Sequence, residues 1–232
     1  RGKKLFIDCH SFKGAPDVPR FSGFAKWIKH FAPKPDAVSV GILELNAGAF
    51  DFGRGIAHAL EINAAHRSGD VIRATAMPNV SQPWKVYQTD WKAVLWTQGN
   101  IYYTQDKVWF QPAYFVDQII AQSWASEVVQ ADVTGPHKTL DVLAAKTADG
   151  KGLVLRAVNP ETQAIPARLD LAGFRPQARE AMVQTLAHDD ATDFNTLEQP
   201  DKIRPVQSAW RHDGEPRTYN FPPHSFTLIY FK

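Results

Sequence analysis

Cysteine is almost absent from this sequence: Cys9 stands alone, which excludes an internal disulfide. Lying within an apolar strand, it reads as a small buried side chain rather than a reactive thiol. Charge bias is also missing. The 26 Lys and Arg against 24 Asp and Glu leave a formal charge of +2, and no block of about five like charges occurs, so there is no electrostatic footprint for nucleic acid or an anionic membrane. No apolar run reaches the roughly 18 residues that cross a bilayer. There is no Gly-x-Gly-x-x-Gly opening a helix, no phosphate loop, no Gly-x-Ser-x-Gly elbow and no Cys-x-x-Cys. The eight histidines are scattered without His-x-x-x-His spacing, so no zinc site and no cofactor is expected. Asp189, Asp190 and Asp193 read as a polar turn.

What is present divides into two halves. The opening Arg1-Gly2-Lys3-Lys4 runs straight into a strand and reads as a start in mid-protein. Strands are expected over 4–9, 37–43 and 70–75, with a short fourth at Ala93 to Trp96. Helices are expected over 20–32, where Phe21, Phe24, Trp27, Ile28 and Phe31 recur at helical spacing, over 53–67 and over 112–124. A long loop separates Met77 from Asp90. Alternating strands and helices imply a parallel sheet of right-handed βαβ units. Three or four such strands cannot cover themselves, and a (β/α)8 barrel typically needs ~250 residues, so residues 1–125 read as the C-terminal portion of a TIM barrel. Beyond Ser126 the helical period gives way to short alternating runs, including a hairpin around Ala148 to Gly152. Residues 126–232 therefore read as an antiparallel β-sandwich. The expected fold class is α/β plus all-β.

In βα barrels, reacting groups sit at the C-terminal ends of strands. Three strand ends here carry polar groups: Asp8 and His10, Glu44 and Asn46, then Thr75 followed by Asn79. A glutamate after an apolar run is commonly only a solvated strand end, and a lone histidine only a hydrogen-bonded one; it is the agreement across consecutive strands that points to a site. Trp84, Tyr87, Trp91, Trp96, Tyr102, Tyr103, Trp109 and Phe110 crowd the region before the last helix. Flat rings stack on sugar faces, although any one of these rings could equally fill core.

The run Val40 to Asn46 followed by Gly55 to Asp70, Gln111 to Val116, Leu169 to Phe174, Asp193 to Pro200 and Pro222 to Phe226 resembles, in order, the C-terminal half of family-51 α-L-arabinofuranosidases. These belong to the clan of retaining (β/α)8 glycosidases. The resemblance implies a barrel followed by a jelly-roll-like sandwich, with Glu44 as catalytic nucleophile at the end of the seventh barrel strand. Asp8-Cys9-His10-Ser11-Phe12 is similar to the family's Asp-Glu-His-Tyr-Tyr on the sixth strand, with Ser11 standing in place of the first tyrosine. His10, Asn46, Asn79, Trp84 and Trp91 are expected to bind an arabinose-containing glycan.

Retaining hydrolysis needs two carboxyl groups about 5–5.5 Å apart. In the family the acid/base is the Glu of an Asn-Glu pair on an upstream strand, and no Asn-Glu dipeptide occurs here. Glu61 and Asp8 are poorly placed for the part. The expected partner is thus the remaining N-terminal part of the enzyme, as another chain or segment, and the family points to a secreted or periplasmic location. Two rivals stay open: a clan-related xylanase or endoglucanase, and a non-catalytic carbohydrate-binding protein.

Overall fold

The computed structural model describes residues 4–48, 50–84, 98–136, 138–212 and 217–232. Strands β1 (Leu5–Ser11), β2 (Val38–Leu45) and β3 (Ile72–Thr75) form a parallel sheet in that order. They are joined by helices α1 (Val18–Phe31) and α2 (Phe52–Arg67), as the alternation of periods required. Pro19 falls in the first turn of α1, where its missing N–H costs nothing. Helix α2 begins where the Asp51 carboxylate accepts from the Arg54 N–H at 2.9 Å, and it carries His66 and Arg67 in its last turn against the helix dipole.

One expectation changes here. The stretch after β3 is not all loop: β4 (Ser81–Pro83), β5 (Ile101–Tyr103) and β6 (Val108–Phe110) build a separate small sheet. These strands are only three residues long, too short for alternation to declare itself. The strand expected at Ala93 to Trp96 lies outside the described residues. Helix α3 (Pro112–Gln122) follows, with proline at its start.

The second half is dominated by a six-stranded antiparallel sheet, in the order β12 (Val206–Arg211), β11 (Glu180–Ala187), β14 (Ser225–Phe231), β9 (Leu153–Asn159), β8 (Asp141–Lys146) and β7 (Glu127–Val129). A two-stranded sheet of β10 (Ile165–Leu169) and β13 (Arg217–Phe221) accompanies it. The expected β8–β9 hairpin is present. Its turn needs Gly150, at φ 69°, and is braced by the Asp149 carboxylate accepting from the Lys151 N–H at 3.1 Å.

Alternation along these strands feeds two cores. Val154, Val158, Leu186, Phe226 and Leu228 join a cluster with Ile56, Ala59, Phe115, Val116 and Ile119 of α2 and α3. Leu155, Ala157, Val183, Ile229 and Phe231 point the other way, toward Ile165 and Phe221 of the two-stranded sheet. Strand β9 is consequently buried along its whole length. The six-stranded sheet is a middle layer, and the helices of the first half cover one of its faces.

Polar clamps reinforce that junction. The Asn63 amide and Arg67 guanidinium of α2 both bind the Asp141 carboxylate of β8. Asn195, fully buried, donates through Nδ2 to the carbonyls of Phe110 and Ile203, at 2.7 and 2.8 Å, and accepts from the Ile203 N–H at 2.8 Å. The Gln111 side chain accepts from the Asn195 N–H and donates to its carbonyl. Replacing Asn195 by Ala strands three buried backbone groups, each costing ~1–3 kcal/mol. Asn195→Ala should therefore destabilise the full-length protein by about 3 kcal/mol or more in denaturant titration; a loss below about 1 kcal/mol would show that the clamp is dispensable.

Candidate active site

Strands β1 and β2 pair in parallel register from Leu5↔Val38 to Cys9↔Ile42, then slip, so that His10 faces Glu44 and Leu43 is passed over. This bulge decides the site. Without it, the period of two would carry Leu43 to the face shared by Phe6, Asp8, Ser39 and Gly41, and Glu44 to the helix side with Val40 and Ile42. The extra residue instead turns Glu44 onto the open face beside His10 and sends Leu45 into the core, where it is fully buried. Gly41 leaves room on that face for the Phe6 ring, which would have to swing aside for a Cβ placed 2.4 Å from it.

His10 bridges two carboxylates. Its Nδ1 lies 3.1 Å from Glu44 Oε2 and its Nε2 lies 3.3 Å from Asp8 Oδ2. Side-chain exposures of 46% for His10, 29% for Glu44 and 49% for Asp8 leave the group open to a ligand. Because an imidazole lies between them, Asp8 and Glu44 do not face one another across the space a glycosidic oxygen would fill. The geometry suits one nucleophile oriented by a histidine, not a two-carboxylate pair.

The other expected residues are placed as follows. Asn46 follows β2, is buried, and donates its N–H to the Ser11 carbonyl at 2.8 Å; its side-chain Oδ1 has no protein partner. Asn79, in a left-handed conformation at φ 49°, donates to the Gln98 side chain at 3.0 Å. Trp84 packs edge-on against Tyr102 and Trp109, both buried, and so belongs to the hydrophobic filling of the small sheet. Tyr102 and Trp109 are rings of the aromatic cluster that fill core, both being buried. Trp91, with Tyr87 and Trp96, lies outside the described residues. Among the described residues of this set, His10 is the one in polar contact with Glu44.

Beneath the site lies a network that the strand-end reasoning missed. The Ser11 hydroxyl is 2.9 Å from Asp17 Oδ2 and 2.7 Å from Glu61 Oε1, all three side chains being buried. Burial pushes the Glu61 carboxyl up to about 7. Burial acts on Asp17 in the same direction but is outweighed by donors from the Lys13 N–H, Ser11 and Arg20, which hold it below its ordinary value. The signal available in the sequence was the recurrence of Arg54, His58 and Glu61 at helical spacing, a polar stripe that ordinarily marks a solvated face. Here the stripe is buried: His58 pairs with Asp117 at 2.9 Å, and Arg54 donates to the Gln98 carbonyl at 2.6 Å.

Comparison with known proteins places these features. Residues 49–225 match the model of the alpha-L-arabinofuranosidase C-terminal domain. No curated protein sequence matches the chain. Among solved structures, the alpha-L-arabinofuranosidase from Thermotoga maritima in its arabinose complex is similar with a TM-score of 0.79 at 19% identity, over 97% of this chain and 52% of that one. The family-51 enzyme from Thermotoga petrophila RKU-1 gives 0.80 at 19% identity, over 98% and 52%. The catalytic domain of the family-30 xylanase C from Talaromyces cellulolyticus gives 0.58 at 15% identity, over 84% and 41%. Identities this low carry the fold and not the chemistry. The chain spans about half the length of the arabinofuranosidases it matches.

The exposure of the His10 and Glu44 pair sets its energetic worth. Ion pairs this open contribute about 0–1 kcal/mol. His10→Ala and Glu44→Gln should each shift the denaturation free energy of the full-length protein by less than about 1 kcal/mol. A larger loss would make the pair a structural brace rather than a site.

Proposed function

Because the chain belongs to the alpha-L-arabinofuranosidase C-terminal domain family, we propose that it forms part of a retaining glycoside hydrolase that removes α-L-arabinofuranosyl residues from arabinose-containing glycans, with Glu44 as nucleophile. In this reading residues 1–125 are the last portion of a (β/α)8 barrel and residues 126–232 a jelly-roll-like sandwich. The remaining strands, and the acid/base glutamate, come from the N-terminal part of the enzyme. The observation that carries the proposal is the bulge that sets Glu44 beside His10 at the C-terminal ends of two parallel strands, on a face where Phe6 and Leu43 are left exposed. Apolar side chains on the open face of a parallel sheet are what a barrel wall leaves when its opposite side is absent.

The chemistry follows from the two-carboxylate scheme. The ionised Glu44 carboxylate attacks the anomeric carbon as the acid residue protonates the departing oxygen. The C–O bond to the leaving group breaks, and a glycosyl ester on Glu44 forms. Water, deprotonated by the same acid/base residue, then displaces the carboxylate with a second inversion. His10 holds the Glu44 side chain in one rotamer through Nδ1, so less freedom is lost on reaching the transition state. Asp8 holds the far side of the ring. Asn46, Asn79 and Trp91 are proposed to line the sugar site.

The match of residues 49–225 to the alpha-L-arabinofuranosidase C-terminal domain supports the pentofuranoside over the xylan reading. In the complete enzyme, Glu44→Gln should lower kcat on an aryl α-L-arabinofuranoside by about 10⁴-fold while arabino-oligosaccharide binding, followed by calorimetry, is kept. Near-wild-type kcat in that variant would remove Glu44 from the role. Unchanged turnover of xylosides in place of arabinofuranosides would favour the clan rival.

A further inference from the structure

The Ser11 hydroxyl has one proton and two close carboxylate neighbours, Asp17 Oδ2 at 2.9 Å and Glu61 Oε1 at 2.7 Å. It can donate to only one of them, so the other contact is favourable only if that carboxyl carries a proton of its own. The surroundings decide which. Asp17 Oδ2 also accepts from the backbone N–H groups of Phe12 and Lys13, at 3.2 and 3.1 Å, and Asp17 Oδ1 faces the Arg20 guanidinium at 3.1 Å. That is a setting for an ionised carboxylate. Glu61 has no such company. It is fully buried, and its second oxygen, Oε2, has no protein hydrogen-bond partner.

Two cationic or titratable neighbours on its own helix, Arg54 and His58, favour the charged form of Glu61 without pairing with it, and burial outweighs them. On its own helix, His58 is engaged with Asp117 of α3, and Arg54 donates to the Gln98 carbonyl. From β1 and the turn before α1 it meets Ser11 and Asp17. Among the described residues no cation forms an ion pair with Glu61. An unpaired, fully buried carboxylate is strongly disfavoured, whereas a neutral acid can leave its carbonyl oxygen unpartnered at modest cost.

We propose that Glu61 is a positioning residue: its neutral carboxylic acid donates to Ser11, Ser11 donates to ionised Asp17, and this one-way chain anchors the end of β1 so that His10 meets Glu44. Ser11 is the link because its backbone carbonyl also accepts from the Asn46 N–H, two residues beyond Glu44. One residue thereby ties the ends of both site strands to α2 and to the turn at Asp17. Burial holds the Glu61 proton to about pH 7. Above that pH, two negative carboxylates would compete for one hydroxyl proton and the link would fail.

The protonation state can be tested apart from any activity. At a pH between the ordinary glutamate value of 4.5 and about 7, exposed carboxyls are ionised, and the full-length protein should retain an infrared carbonyl band of a protonated acid that Glu61→Gln lacks. The raised pKa has a definite sign in stability. The folded state keeps a proton that the unfolded chain releases, so the Glu61 contribution is whole below about 4.5, declines as pH rises to about 7, and is flat beyond. Asp17, lowered, acts in the opposite sense and at more acid pH. The stability of the wild type relative to Glu61→Gln should therefore fall across that window.

The effect on turnover rests on the reading of Glu44 as nucleophile. There, Glu61→Ala should lower kcat by about 10²-fold with KM little changed. Glu61→Gln, neutral and still able to donate to Ser11, should recover most of that loss and remove the decline above about pH 7. A missing infrared band, or a stability difference that does not vary with pH, would overturn the proposal even if Glu44→Gln behaves as expected. Should Glu44→Gln fail its own test, the band and the stability difference still decide the state of Glu61.

Discussion

Helix α2 lies between the parallel sheet, helix α3 and the six-stranded sheet, and so has to be satisfied by protein on nearly every face. Its apolar residues Ile56, Ala59 and Ile62 meet that demand by packing. Its polar residues must meet it by pairing, because a buried polar group without a partner costs several kcal/mol. Each makes one contact on a different element, Arg54 with the Gln98 carbonyl, His58 with Asp117, Glu61 with Ser11 and Asn63 with Asp141, while Arg54 Nε and Nη2, His58 Nδ1, Glu61 Oε2 and Asn63 Oδ1 stay buried without a protein partner. The helix that follows the Glu44 strand is thereby pinned to β1, α3 and the antiparallel half together. The first half of the chain has no core of its own that stops at residue 125; its helices complete the core of the second half.

On that frame, one inserted residue sets the candidate site. The period of two along β2 would bury Glu44 among Val40, Ile42 and the helices, and only the bulge at Leu43 turns it outward to His10. A bulge in a parallel pair is unusual and is held here from both sides. Ser11 and Asn46 are joined by a backbone hydrogen bond just past it, and the buried Ser11 side chain is fastened below. The exposed triad of Asp8, His10 and Glu44 contributes little to stability; its geometry comes from the buried groups underneath. That division suits a site in which His10 and Glu44 must respond to a ligand without disturbing the fold.

Much of this was legible in the residues. The strands at Leu5, Val38 and Ile72, the α-helices among the described residues and the β8–β9 hairpin follow from periodicity, capping and turn chemistry. The placement of His10 and Glu44 at the ends of neighbouring strands followed from strand ends considered together, but their 3.1 Å contact did not. What was not legible had physical reasons. The three-residue strands of the small sheet are shorter than one readable period, and the edge-on packing of Trp84 against Tyr102 and Trp109 depends on a sheet that no local pattern announces. The stripe of Arg54, His58 and Glu61 looks solvent-facing until the layer that covers it is known. The bulge itself leaves no mark in the sequence, because it is a property of two strands and their register.

The account depends on Glu44 becoming covalently bound to sugar. The direct measurement is to treat the complete enzyme with an activated fluorinated arabinofuranoside, which traps the glycosyl ester, and to locate the label by peptide mass spectrometry. The account predicts a single arabinosyl adduct on the peptide carrying Glu44. Stoichiometric labelling of a different carboxylate, with Glu44 unmodified, would contradict it.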